Sequence, residues 1–175
     1  LELSIKIKSS DGMANAWYVI GKGMTVKGNF KEGIVLLQKA FTASTDKAMK
    51  IDLLNSIGDT YSKIGNNAEA LKNDYAALKM EEETGIKKKM GWTLMNIGVV
   101  SNHMANYDEA LKNYSAAIKA HREQSDSNGM ASAMVNIAAI YRVRGNYPAA
   151  LKNYYDALKI YEKTGNRNYL ANVYT

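Results

Sequence analysis

The tetrapeptide Ala-Leu-Lys-Asn occurs three times in this chain of 175 residues, at Ala70–Asn73, Ala110–Asn113 and Ala150–Asn153, each 40 residues after the last. Neighbouring residues keep the same interval, and a more diverged fourth copy lies 37 residues upstream of the first. The pairs that show this are Ile20-Gly21, Ile57-Gly58, Ile97-Gly98 and Ile137-Ala138. A fixed period of this length indicates one supersecondary unit that is stacked on copies of itself.

Each unit reads as two helices. In the third copy, Leu94, Ile97 and Ser101 recur at intervals of three and four residues, which is the spacing of one helical face. After a break at Ala105-Asn106 the same periodicity restarts at Ala110. No alternation by two appears, so the sequence predicts an all-α protein built from stacked antiparallel helical hairpins.

The breaks place the helices. The first helices are predicted near Met13–Lys27, Lys47–Ile64, Lys87–Met104 and Ser127–Arg144. The second helices are predicted near Phe30–Ala43, Ala68–Glu83, Asp108–Gln124 and Pro148–Lys163. The whole chain, 1–175, is thus expected to be a single array, with repeats at 13–44, 47–84, 87–124 and 127–164. Residues 1–9 are expected to end a preceding repeat, and residues 167–175 to begin a following one.

The small and aromatic residues resemble the tetratricopeptide repeat family, which has about the same helical hairpin as its unit. The fourth repeat carries the family pattern with Met134, Ile137, Ala138, Tyr141, Ala150, Tyr154 and Ala157. Other repeats depart from it: Asp74 stands where an aromatic belongs, Ser101 replaces another, and Gly33 replaces the first Ala. The resemblance implies a right-handed α-solenoid, and the long period is similar to the Pins/LGN, kinesin light chain and bacterial signalling branches.

The formal charge of +6 is distributed in a way that argues against a nucleic-acid partner. Two rows of lysines follow the period beside the apolar stripe of the second helices, namely Lys72, Lys112 and Lys152, and Lys79, Lys119 and Lys159. Such rows are typical of a solvated outer face, and no aromatic platform or groove-entering motif accompanies them. Nucleic acid is therefore the least favoured partner, and phosphate tracking along these rows stays an open alternative.

No stretch is long and apolar enough to span a bilayer, so no membrane association is expected. The chain contains no Cys, which removes disulfides and thiolate metal sites and leaves the redox compartment undecided. We favour a cytoplasmic location, with periplasmic or secreted locations left open.

The motifs of enzymes are missing from the sequence. His103 and His121 lie 18 residues apart on different predicted helices, without a His-Glu-x-x-His arrangement, and His121 continues an apolar stripe. Gly21, Gly23 and Gly28 lack the strand and spacing of a phosphate-binding loop. We therefore expect a protein that is not an enzyme, with no catalytic residue, cofactor or metal.

A second stripe on the first helices remains after the packing positions are removed, and the resemblance implies that it lines a concave groove. The candidates are Asn55, Asp59, Trp92, Met95, Asn96, Val99, Asn102, His103, Asn136, Ala139 and Arg142. Asn96 and Asn136 share one register, and an amide can both donate and accept, as the backbone of an extended peptide requires. The kinesin light chain branch, by resemblance, holds cargo peptides with Asn at this register. The alternative is that Trp92 and Met95 pack between helices and the Asn side chains bond locally.

The sequence thus favours a scaffold or sensor segment that binds a protein or peptide in its groove. The resemblance implies a place in a larger protein, since similar arrays precede kinase, cyclase or DNA-binding output domains in bacterial signalling. The alternative is a structural spacer, or a module that self-associates end to end through truncated repeats at Leu1–Ser9 and Leu170–Thr175.

Overall fold

The computed structural model describes the backbone of residues 2–166 and the side chains of residues 10–166. Within this part the chain forms eight α-helices and no strand. In chain order they are α1 (Glu2–Val26), α2 (Phe30–Ala43), α3 (Lys47–Lys63), α4 (Asn67–Thr84), α5 (Met90–His103), α6 (Tyr107–Glu123), α7 (Ser127–Val143) and α8 (Tyr147–Thr164).

Seven of the eight helices begin and end within three residues of the predicted bounds, and α2 matches at both ends. The exception is α1, which begins at Glu2 and continues through Gly12, where the sequence predicted a break before Met13. Gly12 is not among the glycines with positive φ, so nothing in the backbone interrupts the helix there. The proposed assignment of residues 1–9 and 167–175 to truncated repeats concerns side chains outside the described residues and stays a prediction.

The chain divides into two compact units, Leu1–Lys89 with α1 to α4 and Met90–Thr175 with α5 to α8. In the C-terminal unit, α5 pairs with α6 and α7 pairs with α8, while α6 also packs on α7. The first helices α5 and α7 contact each other, whereas α6 and α8 do not in the part described. The N-terminal unit repeats this arrangement, with contact between α1 and α3 and none between α2 and α4. The first helices therefore line one side of each unit.

Local sequence signals explain how the helices begin. Asp46, Asn66, Asp126 and Asn146 each precede a helix, and each side chain accepts a hydrogen bond from a backbone N–H in the first turn. Short polar side chains at this position are the strongest start signal of a helix. In the N-terminal unit, the Asp11 carboxylate of α1 accepts bonds from the backbone N–H and the hydroxyl of Thr45, and these bonds lower the pKa of Asp11.

The turns within hairpins need a left-handed residue. Gly28, Gly65 and Gly145 supply it with positive φ, and the equivalent residue between α5 and α6 is Ala105, with φ of 57°. A side chain at this conformation is strained by roughly 1–2 kcal/mol. The hairpin α5–α6 therefore carries a strain that the others avoid.

Small residues let the paired helices approach closely. A Cβ placed on Gly98 of α5 would lie 2.6 Å from Cε1 of Tyr114 on α6, closer than packed carbon atoms tolerate. Tyr114 is fully buried at the centre of a core cluster that also contains Ile137 and Ile140 of α7. Here the glycine is required by packing and not by backbone conformation.

The departure at Asp74 does not shift the register of α4. Asp74 is fully buried and faces Gly58, as Tyr114 faces Gly98 in the next hairpin, whereas Tyr75 is exposed. The period thus fixes which position points inward even where the residue is an acid.

Candidate binding face

The accessible surface of α5 is restricted, because half of its residues are buried. Trp92 and His103 are exposed, while Asn96, Val99 and Asn102 are half-buried. Their equivalents on α7, which α5 contacts, include half-buried Asn136 and Ala139 and exposed Arg142. We call these positions the binding face: Trp92, Asn96, Val99, Asn102, His103, Asn136, Ala139 and Arg142.

Met95 does not belong to this face, and its assignment as a groove residue is corrected. Only 8% of its surface is exposed, and it lies in the core cluster with Ala110, Tyr114 and Ile137. Its position on α5 turns it towards the contacts with α6 and α7, so its side chain supports the face from beneath. For Met95, the alternative of packing between helices therefore holds.

The amides of the binding face have no partner within the described residues. Neither Asn96 nor Asn136 makes a side-chain hydrogen bond there, although both are half-buried. The Asn residues of the second helices behave differently, because each donates from Nδ2 to the carbonyl four residues before it. These bonds join Asn73 to Glu69, Asn113 to Glu109 and Asn153 to Ala149, at 2.7–2.9 Å. Local bonding thus accounts for the Asn residues of the outer helices and not for those of the face.

The candidates in the N-terminal unit are already engaged with their own chain. Asp59 forms an ion pair with Lys63 one turn later, with Oδ2 and Nζ 2.7 Å apart. Asn55 is half-buried and also has an interaction partner. Beside α1 and α3 lies a cavity of ≈ 320 Å³ with an acidic lining, which the sequence analysis did not identify. It is lined by Asp11, Asn15, Tyr18, Asp46, Ala48, Met49 and Asp52.

His121 forms a second feature that sequence reasoning missed. Its side chain is fully buried, its ring meets that of Trp92 edge-on at 5.0 Å between centroids, and its Nδ1 lies 3.0 Å from Oδ2 of Asp126. Burial lowers the pKa of His121, and the negative charge of Asp126 offsets part of that effect. A signal was present in the repeat: Ser132 and Tyr161 occupy the same two positions one period later and also meet, at 3.0 Å.

The outer lysine rows agree with a solvated surface. Lys72, Lys79 and Lys112 are exposed and each forms an ion pair with a Glu of its own helix, at 3.2–3.7 Å. Such pairs contribute little to stability and reduce the local positive potential. They give no support to phosphate binding.

In the part of the chain that the structure describes, no cluster of three or more His, Asp or Glu side chains could hold a metal ion. Of the helices described, none has the length and apolar character that crossing a membrane requires.

A tetratricopeptide repeat family profile matches residues 89–163 and, in a second match that overlaps the first, residues 129–175. The first match contains α5 to α7 and nearly all of α8. Residues 89–175 therefore belong to the tetratricopeptide repeat family. No curated protein sequence matches the chain. The eight helices of the described residues, together with this family match, confirm the prediction of an all-α fold of the tetratricopeptide type.

Solved structures share this fold at low sequence identity. Aspartyl phosphate phosphatase F from Bacillus subtilis is 17% identical with a TM-score of 0.86, over 96% of this chain and 44% of that one. A Rap protein complexed with Competence and Sporulation Factor is 18% identical with a TM-score of 0.74, over 84% of this chain and 42% of that one. YrrB, described as a TPR protein with an unusual peptide-binding site, is 24% identical with a TM-score of 0.61, over 87% and 70%. This tetratricopeptide chain thus spans less than half the length of the first two.

Proposed function

We propose that this protein is a binding scaffold whose binding face, on α5 and α7, holds an extended segment of a protein or peptide. The observation that carries the proposal is the pair Asn96 and Asn136. These amides occupy one register on two helices in contact, and within the described residues neither is bonded to the protein.

An extended peptide suits this pair because its backbone offers a donor and an acceptor at regular intervals, whatever its side chains. Each Asn amide can both donate and accept, so two of them in register can fix the path of a strand. Val99 and Ala139 provide apolar contact beside them, and Trp92, with 39% of its surface exposed, can cover one side chain of the peptide. Arg142 is exposed at one end and can bind a carboxylate with two parallel bonds.

The solved structures lend support of a general kind. One protein of this fold was crystallised in complex with Competence and Sporulation Factor, and another is described as having an unusual peptide-binding site. The proposal that the chain acts without catalysis, within a larger protein of the bacterial signalling kind, rests on the family alone. End-to-end self-association also stays a prediction, since Leu1–Ser9 and Leu170–Thr175 lie outside the described side chains.

The test uses peptides selected from a displayed library of short random sequences on the wild-type protein. Asn136→Ala should weaken the binding of a selected synthetic peptide by roughly one to two orders of magnitude, because losing one such bond costs about 1–3 kcal/mol. The matched control is Asn153→Ala, which removes an amide bonded within α8 and should leave affinity unchanged. Isothermal titration calorimetry measures both, and circular dichroism checks that helical content is retained.

Two results would contradict the proposal. One is equal affinity for the wild type and Asn136→Ala. The other is a loss confined to Lys112→Ala, which would place the site on the outer helices, where Lys112 is exposed and pairs with Glu109.

A further inference from the structure

A buried imidazole lies directly behind the one large aromatic of the binding face. His121 lies in the last turn of α6, has none of its surface exposed, and contacts the exposed Trp92 edge-on at an interplanar angle of 81°. The same histidine lies 3.0 Å from the carboxylate of Asp126. It therefore connects the binding face to the start of α7.

The space around the ring is closed. A Cβ on Gly91 of α5 would lie 2.7 Å from Cε1 and Nε2 of His121, and a Cβ on Gly129 of α7 would also be too close to the ring. Nε2 is buried and has no hydrogen-bond partner within the described residues. With Nδ1–H directed at the carboxylate of Asp126, a second proton must go to Nε2, where the described residues offer no acceptor, and burying such a donor costs free energy.

Asp126 holds two connections at once. Its Oδ1 accepts the backbone N–H of Gly129 at 2.9 Å and so caps α7, while its Oδ2 faces His121. A movement of His121 therefore disturbs the cap of the helix that carries Asn136. We propose that His121 is a proton-sensitive brace of the binding face: its protonation releases Trp92 and the start of α7 and so weakens binding there. This inference rests on the proposed function for its consequence and not for its mechanism.

The charged groups near the imidazole are few. From α5 the packed residues are Gly91 and Trp92, which do not titrate, and from the α7 side the facing charge is Asp126. On α6 itself the neighbours Arg122 and Glu123 are exposed to solvent. Asp126 is the charge that acts on His121 in the described part of the chain, and it favours protonation, but burial is the stronger influence on the pKa.

The sign and size of the effect follow from linkage. In the packed form, in which His121 is buried against Trp92, the pKa of His121 lies below the ordinary value of about 6.5. In the released form His121 is in contact with solvent and has a pKa near that value. The packed form is therefore fully favoured above about pH 6.5, and its population decreases as the pH falls. At about pH 5 the equilibrium moves towards the released form by up to about 30-fold.

The experiment follows Trp92 fluorescence in the Trp17→Phe background, which leaves Trp92 as the sole indole, since the chain has two tryptophans. Between about pH 8 and pH 5 the emission and the accessibility to acrylamide should change in one transition. His103→Gln is the matched control, because His103 is exposed and is the other histidine of the chain, and it should keep the transition. His121→Phe should abolish it while keeping an aromatic ring against Trp92.

The same transition in His121→Phe, or constant Trp92 emission over this range, would overturn the proposal. Asp126→Asn gives a second readout if His121→Phe does not fold, because Asn still caps a helix but removes the charge that favours imidazolium. Its transition should shift to lower pH, and an unchanged midpoint would also overturn the inference.

No peptide is needed in these measurements, so they stand if the proposed function fails. Conversely, peptide binding that depends on Asn136 together with constant Trp92 emission would reject the brace and keep the function.

Discussion

The hairpins α5–α6 and α7–α8 have the same register and different chemistry at two contacts. Where the first has Trp92 against His121, the second has Ser132 bonded to the hydroxyl of Tyr161. The first also packs Gly98 against Tyr114, whereas the second has Ala138 and a half-buried Tyr154 at those positions. The period of the sequence therefore determines which residues meet, and the residue types decide how closely they pack and whether the contact responds to pH.

The largest expected effect on stability is that of a substitution at Gly98, where α5 packs on α6. Gly98→Ala should lower the free energy of unfolding by about 1–3 kcal/mol, because the new methyl group would clash with the ring of fully buried Tyr114. The matched control is Gly23→Ala, since Gly23 lies within α1 with no other group near its Cβ position, and it should stabilise the protein by about 0.5–1 kcal/mol. Urea unfolding followed by circular dichroism measures both. A stabilising effect of Gly98→Ala would mean that the helices separate without cost.

The next largest effect is the loss of stability at alkaline pH that Tyr114 causes. Burial raises the pKa of Tyr114, so its contribution to stability is complete below the ordinary value of about 10 and is lost as the pH rises above it. At about pH 11 the wild type should have lost up to about 1.4 kcal/mol that Tyr114→Phe retains. Tyr154→Phe serves as the control, because it removes a tyrosine hydroxyl and keeps Tyr114, so it should lose the same stability as the wild type. Equal pH dependence of unfolding in the three proteins would contradict the tight packing of Tyr114.

The smallest expected effect is a gain in stability at the turn between α5 and α6. Ala105 has φ of 57° where Gly145 occupies the equivalent turn between α7 and α8. Ala105→Gly should stabilise the protein by about 0.5–1 kcal/mol, since relief of the left-handed strain exceeds the added freedom of the unfolded chain. The reverse change, Gly145→Ala, should destabilise it by a similar amount in the same unfolding assay. Loss of stability in Ala105→Gly would show that the turn carries no strain.

The sequence predicted the hairpins well because their signals are local: helical periodicity, capping residues, and glycine at the turns. It misjudged the beginning of α1, since Ser9 to Gly12 only weakly favours a break and the helix continues through it. It also placed Met95 on the binding face, because helical spacing alone does not reveal which positions of α5 the neighbouring helices cover.

The site could be predicted only in outline. Asn96 and Asn136 were visible as a matched pair, but their lack of local bonds depends on the neighbouring helices and required the structure. The contact of His121 with Trp92 joins residues 29 positions apart, and only its repetition by Ser132 and Tyr161 would have indicated it.

Three side-chain amides donate a hydrogen bond to a carbonyl of their own helix, those of Asn73, Asn113 and Asn153. These bonds affect which changes in the number of repeats the chain can tolerate. Each bond begins and ends within a single turn, so duplication or deletion of a whole period leaves the remaining ones intact. An array with this motif can gain or lose repeats by recombination in register without disturbing these bonds. The Asn of the repeated tetrapeptide therefore bonds within its own repeat in every copy, whatever the neighbouring repeats contain.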